Sequence, residues 1–236
     1  MNILHFSKLD STNTYLKKNC DILNDSTVVY VAEQTNGHGR YNRVWESMNN
    51  ANLLCSILLK NLKEIKDINS LSLLTGVVIY KLLIRHHIKN VKIKWPNDIY
   101  VNDKKICGIL LESVSMNNQI KAVIIGIGLN LNQRQFMNQK ATSYVLELGK
   151  TIQIPNIINE MLDIFNKELN DYKKQRSNYI QIINNNNYLF NKKGTISIND
   201  QSQIAIISDV NLDNSLNVII NNKKQKLKFG EIVLLN

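Results

Sequence analysis

The chain has 236 residues, 44% hydrophobic and 20% charged, with two prolines. That composition buries a real core, in one large domain or a main domain with an appendage, and excludes collagen-like and wholly disordered chains. Twenty-nine basic residues against 19 acidic give +10, but the lysines are scattered from Lys8 to Lys228 and dense only over Lys223-Lys224-Gln225-Lys226-Leu227-Lys228, so charge alone assigns no function.

Asp10-Ser11-Thr12-Asn13 reads as a helix start, because short oxygen-bearing side chains satisfy the orphan N–H groups of a first turn. That helix would carry Tyr15 and Leu16 and end near Cys20. Thr27 to Ala32 is β-branched and aromatic, hence a strand. Gln34 to Asn50 is a long polar loop, and such loops in compact domains are functional or disordered. Leu53 to Leu59 is a second strand. Asn69 to His86 places Leu71, Leu74, Val78 and Leu82 at helical spacing, with His86-His87 at its basic end. Strands are expected at Val91 to Lys94, Ile99 to Val101, Lys105 to Leu111 and Ala122 to Ile127, with Asn102-Asp103-Lys104 as a turn. Pro155 opens a helix to about Lys174, with Ile157, Met161, Ile164, Phe165 and Leu169 on one side. Asn184 to Asn187 is a break. After about Leu189, short alternating strands at Thr195–Ile198, Gln203–Ile206, Leu216–Ile219 and Glu231–Leu234 suggest a small antiparallel barrel that packs on the main domain.

No apolar run approaches the roughly 20 residues that cross a bilayer, and the N-terminus lacks the basic flank and apolar stretch of a secretory signal. Cys20, Cys55 and Cys107 are odd in number and widely spaced, which makes neither a disulfide framework nor a metal pair. A reducing cytoplasm is the expected compartment. Acidic, His and Cys residues never gather at metal-ligand spacing, so no protein metal site is expected.

Three segments carry chemistry. In Gly37-His38-Gly39-Arg40-Tyr41-Asn42-Arg43-Val44-Trp45, glycines allow close backbone approach and two arginines offer bidentate contacts to phosphate or carboxylate. An ordinary surface loop fits the same residues. Lys92-Ile93-Lys94-Trp95-Pro96-Asn97-Asp98 leads through the turn to Lys105-Ile106-Cys107-Gly108, so a hairpin would bring Lys105 towards the Lys94 end. These lysines suit an anionic ligand or, equally, an exposed edge, with Trp95-Pro96 as packing plus a turn. Gly126-Ile127-Gly128-Leu129-Asn130 puts glycines inside a strand, marking either a ligand against the backbone or a bulge.

Taken together, the blocks Ser11-Thr12-Asn13, Gln34 with Gly37–Arg40 and Arg43-Val44-Trp45, Ala51-Asn52-Leu53, Lys94–Asp98, Lys105–Leu110 and Gly126–Asn130 resemble biotin–protein ligase in order and spacing over about residues 7–132. Phe229-Gly230-Glu231-Ile232 is similar to that family's small SH3-like domain. The resemblance implies an α+β protein: a mixed β-sheet flanked by helices, the class II synthetase-like biotin/lipoate ligase fold, over residues 1–188, with an SH3-like β-barrel over 189–236. It implies ATP, biotin and Mg²⁺, a biotinyl-5′-adenylate intermediate, and a biotin carboxyl carrier domain as partner. It also implies no specific nucleic acid, no membrane, and a monomer or homodimer.

By position, Ser11, Thr12, Asn13 and Gln34 fall at the biotin end, with Gly126 and Gly128 as its wall. His38, Gly39 and Arg40 fall in the loop that closes over biotin and the adenylate phosphate. Arg43, Trp45, Lys94, Asn97 and Asn130 fall at the nucleotide. Lys105 takes the biotin carboxylate and α-phosphate, with Arg40 as its catalytic companion. The loop departs from the common GRGRxGR pattern at His38 and Asn42. The short run before Ser11 leaves no space for the helix-turn-helix of repressor-type members, so a monofunctional ligase is expected. A lipoate or octanoyl ligase or transferase of the same fold is the nearest alternative, separable by direct ligand binding. A basic nucleic-acid-binding protein is the alternative of another class, but aromatic and basic residues are not interleaved as stacking platforms need.

Overall fold

A computed structural model describes residues 1–137, 139–198, 201–229 and 233–235, with Asn42 and residues 233–235 described by backbone alone. Seven strands form the main sheet in the order β1-β2-β3-β7-β6-β5-β4. They are β1 (Asn2–Leu9), β2 (Thr27–Gln34), β3 (Leu53–Leu59), β4 (Val91–Lys94), β5 (Asp98–Val101), β6 (Lys104–Met116) and β7 (Gln119–Leu129). Only β1 and β2 run parallel; the other neighbours are antiparallel, so the sheet is mixed as expected.

The two faces are covered differently. Cys55, Ile57, Ile109, Ile125 and Ile127 belong to a large core with α2 (Ser70–Arg85) and α4 (Ile154–Lys173). The other face packs Val29, Leu58, Ala122 and Ile124 against Leu16 of α1 (Thr12–Lys18). One short helix cannot cover that face, so the rest of it stays open as a cleft. In α2 burial extends well beyond the expected stripe, to Ser70, Ser72 and Thr75 as well, because the helix is packed between the sheet and α4. His86, at its end, reaches Glu160 of α4 at 2.9 Å and the Tyr144 hydroxyl at 3.2 Å.

Beyond α5 (Tyr179–Asn185), five antiparallel strands follow in the order β11-β10-β9-β8-β12: β8 (Lys193–Ile198), β9 (Gln201–Val210), β10 (Leu216–Ile220), β11 (Lys223–Leu227) and β12 (Val233–Leu235). Their buried residues, among them Ile196, Ile207, Leu216 and Val218, join the main core, so the appendage is packed on the main sheet as expected. Gly230, Glu231 and Ile232 lie outside the described residues. Sequence patterning missed β1, whose alternate residues face solvent, and the short helices α3 (Tyr144–Leu148) and α5. It also missed β11, where the lysine run conceals an edge strand with Lys223, Lys224 and Lys226 exposed.

Candidate functional site

The fifteen residues singled out above all line one cleft of about 360 Å³ on the α1 side of the sheet. At one end, Ser11 caps α1, with Thr14 N–H donating to its Oγ, and Ser11, Thr12 and Asn13 are all buried. Thr12 N–H and its hydroxyl both donate to Gln34 Oε1, at 2.8 and 3.1 Å. Asn13 is fixed from both sides. Its Nδ2 donates to Glu112 Oε2 at 2.8 Å, and its Oδ1 lies 2.5 Å from Ser56 Oγ, which also sits 2.6 Å from Thr12 Oγ1.

Ser56 and Glu112 were not anticipated from sequence. A signal for Ser56 existed: it is the lone hydroxyl in the apolar strand β3, on the opposite side of the pleat from Cys55 and Ile57. Ser56→Ala leaves two buried polar atoms short of a partner, so unfolding free energy should fall by about 1–3 kcal/mol in thermal or denaturant melts. An unchanged melt would remove Ser56 from this network.

The loop over the cleft is a tight hairpin. Gly39 N–H donates to the Arg43 carbonyl at 2.7 Å and Trp45 N–H to the Gly37 carbonyl at 3.0 Å. Its left-handed residue is Tyr41, at φ 57°. The Arg40 guanidinium lies against Tyr41, donating to its hydroxyl at 3.2 Å, and His38 Nδ1 is 3.2 Å from the Asn36 carbonyl.

The strand glycines line the cleft and also make room for neighbouring side chains. No bulge is present: β7 pairs in register with β3 from Val123 to Leu129. Nor is the Gly128 backbone bare, because the Trp45 ring lies on it; a Cβ at Gly128 would be 2.5 Å from Trp45 Cε2, and one at Gly108 2.8 Å from Cζ3. A Cβ at Gly126 would overlap Asn13 Oδ1. These glycines make room for two site side chains, and the backbone approach serves them.

The other end is cationic. Lys94 pairs across the β4–β5 hairpin with Asp98, and its ammonium reaches the Tyr100 hydroxyl at 3.4 Å. Lys105 stands opposite Tyr100 and its ammonium meets Asp98 Oδ1 at 2.7 Å, so the hairpin does bring it to the Lys94 end. Burial pushes the Lys94 ammonium below the usual lysine range; Asp98 opposes this, while Lys105, Arg43 and Lys140 add to it. Asn97 lines the cleft, but both its Nδ2 and its carbonyl are bonded to Ile109, so it fastens the hairpin to β6. Trp95 is buried packing, as the plainer reading had it. Asp98 and Lys140 are site residues that sequence reading missed, Lys140 because it arrives on a loop without a motif.

Among the described residues, two buried polar atoms in this wall, Trp45 Nε1 and Asn130 Oδ1, have no hydrogen-bond partner. The cleft has a neutral, hydrogen-bonding end at Ser11–Asn13 and Gln34 and a cationic end at Lys94, Lys105 and Arg43. Among the described residues, no three His, Cys, Asp or Glu side chains are grouped to hold a metal, and no helix is long and apolar enough to cross a membrane.

A model of the biotin/lipoate A/B protein ligase family matches residues 6–130, over half the chain and every strand that builds this cleft. The chain belongs to that family. Similar proteins include the bifunctional ligase/repressor BirA of Bacillus subtilis, 33% identical over 153 residues that make 63% of this chain and 47% of that protein. The biotin–[acetyl-CoA-carboxylase] ligase of Paracoccus denitrificans is 34% identical over 127 residues, 53% of this chain and 52% of that one. The chain thus spans about half the length of the curated relatives it matches. In fold, biotin/lipoate ligase architecture extends to the whole chain: the Aquifex aeolicus biotin protein ligase solved with biotin and ATP superposes with a TM-score of 0.88, covering 100% of this chain and 99% of that one at 24% identity.

Proposed function

We propose that this member of the family is a biotin–protein ligase, which uses ATP to make biotinyl-5′-adenylate and then passes biotin to a lysine of a biotin carboxyl carrier domain. The observation that carries the reading is the two-ended cleft. A neutral bicyclic urea matches the Thr12, Asn13 and Gln34 end, and two anions meeting at an α-phosphate match the cations at the other. The apolar dithiolane ring of lipoate is a poorer match to the polar Thr12, Asn13 and Gln34 side chains that line this end, which favours biotin over that alternative. The similar proteins named above are biotin ligases, which supports the same choice.

In the first step a biotin carboxylate oxygen attacks the α-phosphorus, the bond to the bridging oxygen breaks, and pyrophosphate leaves. Lys105 holds the carboxylate and α-phosphate together and stabilises the charge that develops on phosphorus. Arg40 and Arg43, on the hairpin, close on the phosphate from above. In the second step the acceptor amine attacks the acyl carbon of the mixed anhydride, AMP leaves, and the amine gives up one proton. Magnesium enters with the polyphosphate and needs at most one or two protein carboxylates; of the two in the cleft, Glu46 accepts from Met137 N–H, and Asp98 lies among the cations. We place the catalytic domain at residues 1–188 and the SH3-like domain at 189–236, acting in the cytoplasm.

The test is incubation with biotin, ATP and Mg²⁺, with mass spectrometry for biotinyl-adenylate and for a carrier domain heavier by one biotin. Both products should form. Turnover with lipoate in place of biotin, or pyrophosphate release independent of biotin, would overturn the reading.

A further inference from the structure

Asn13 lines the cleft, and its orientation is decided by a residue that does not. An amide turned over keeps its shape but exchanges a donor for an acceptor. The neighbours of Asn13 forbid that exchange. Glu112 Oε2, on β6, lies 2.8 Å from Nδ2, and a carboxylate only accepts, so the nitrogen must face it. The oxygen then faces Ser56 Oγ at 2.5 Å and accepts from that hydroxyl. It is also pressed on β7, where a Cβ at Gly126 would overlap it. The Leu110 carbonyl, 3.5 Å from Nδ2, is the weaker second acceptor. Asn13 and Ser56 are both buried, so a reversed amide would set acceptor against acceptor at Glu112, away from bulk water.

Glu112 has a second contact, Lys17 Nζ at 3.6 Å from Oε1. Asn13 and Lys17 are one turn apart on α1 and share a side of it. The Lys17 side chain is 53% exposed, so that pair holds α1 weakly. The short contact to buried Asn13 is the stronger one, and it leads to the cleft.

We propose that Glu112 is a positioning residue for recognition of the neutral end of the ligand: its carboxylate sets the orientation of the Asn13 amide towards the bicyclic urea. This rests on the biotin reading above. A urea offers one carbonyl acceptor and N–H donors in a fixed pattern, so an amide turned the wrong way meets like with like. Glu112 acts through Asn13 and takes no part at phosphorus.

The experiment measures biotin and MgATP binding by calorimetry in the parent protein and in variants, each checked by a thermal melt. Glu112→Ala should weaken biotin about 10-fold, as loss of one charge-assisted hydrogen bond does, and shift MgATP less than about twofold. Glu112→Gln should cost about fourfold, because a carboxamide accepts from one orientation of Asn13 and donates to the other. In an Asn13→Ala background both effects should fall below about twofold, since the group they act through is gone. Lys17→Ala should leave biotin within about twofold of the parent. Unchanged biotin affinity in Glu112→Ala overturns the proposal while the biotin reading stands. So do equal losses for biotin and MgATP, losses undiminished without Asn13, or a Lys17→Ala loss matching that of Glu112→Ala, which would make Glu112 a clasp for α1. If Glu112→Ala does not fold, Glu112→Gln in the two backgrounds decides. A parent that does not bind biotin overturns both the proposal and the biotin reading, whether or not it binds MgATP.

Discussion

Lys105→Ala should abolish most adenylate formation while the protein stays folded. The Lys105 side chain is 31% exposed and sits at the start of β6, so its removal opens no core cavity. What it removes is the cation at which, in the proposed reaction, two anions meet. Losing one such contact in a water-poor site costs about 2–4 kcal/mol, or about 30- to 1,000-fold in rate. Asp98 is then left without its 2.7 Å partner, which adds like charge beside the incoming carboxylate and pushes the effect to the upper end. The check is single-turnover formation of biotinyl-adenylate, with a thermal melt on the same sample. A folded Lys105→Ala protein with near-parent adenylation would sink the assignment of this residue.

Trp95→Ala should damage stability rather than one step of chemistry. Trp95 is 2% exposed, packs its ring 4.9 Å from that of Phe229 at a 58° tilt, and donates from Nε1 to the Asn214 carbonyl at 3.1 Å. Asn214 is itself a junction, with Nδ2 on Asp67 at 2.7 Å and Oδ1 accepting from the Tyr179 hydroxyl at 2.6 Å. One indole thus fills the seam between the main sheet and the C-terminal strands. Truncating a buried Trp to Ala costs about 3–5 kcal/mol. At about 2–4 °C per kcal/mol for a chain of this size, the melting midpoint should drop by about 6–20 °C. Limited proteolysis should show new cleavage between α5 and β8, where the seam loosens. A midpoint within about 3 °C of the parent would mean that the seam is held elsewhere.

The site's residue types were legible because they are short motifs with a chemical reason, and the fold places all fifteen on one cleft wall. Their partners were less so. Asp98 stood inside a block already noticed, but nothing in the order of residues says that Lys105 will reach across a hairpin to it. Ser56 and Glu112 come from β3 and β6, separated from Asn13 by 43 and 99 positions, and Lys140 comes from a loop with no motif.

By itself the sequence determined the strand and helix grammar, the β-rich tail and the glycine positions, because periodicity, turn chemistry and missing side chains act over a few residues. Burial all around the first ten residues of α2 was decided only by its packing between the sheet and α4. So was the strand character of the lysine run, because an edge strand takes its pairing from β10 and shows little apolar pattern of its own. The strand glycines show the division most clearly. Their lack of a Cβ is written in the sequence, but that Asn13 and Trp45 fill the space was settled when α1 and the Gly37–Trp45 hairpin came to lie over β6 and β7, because close packing leaves no gap unassigned.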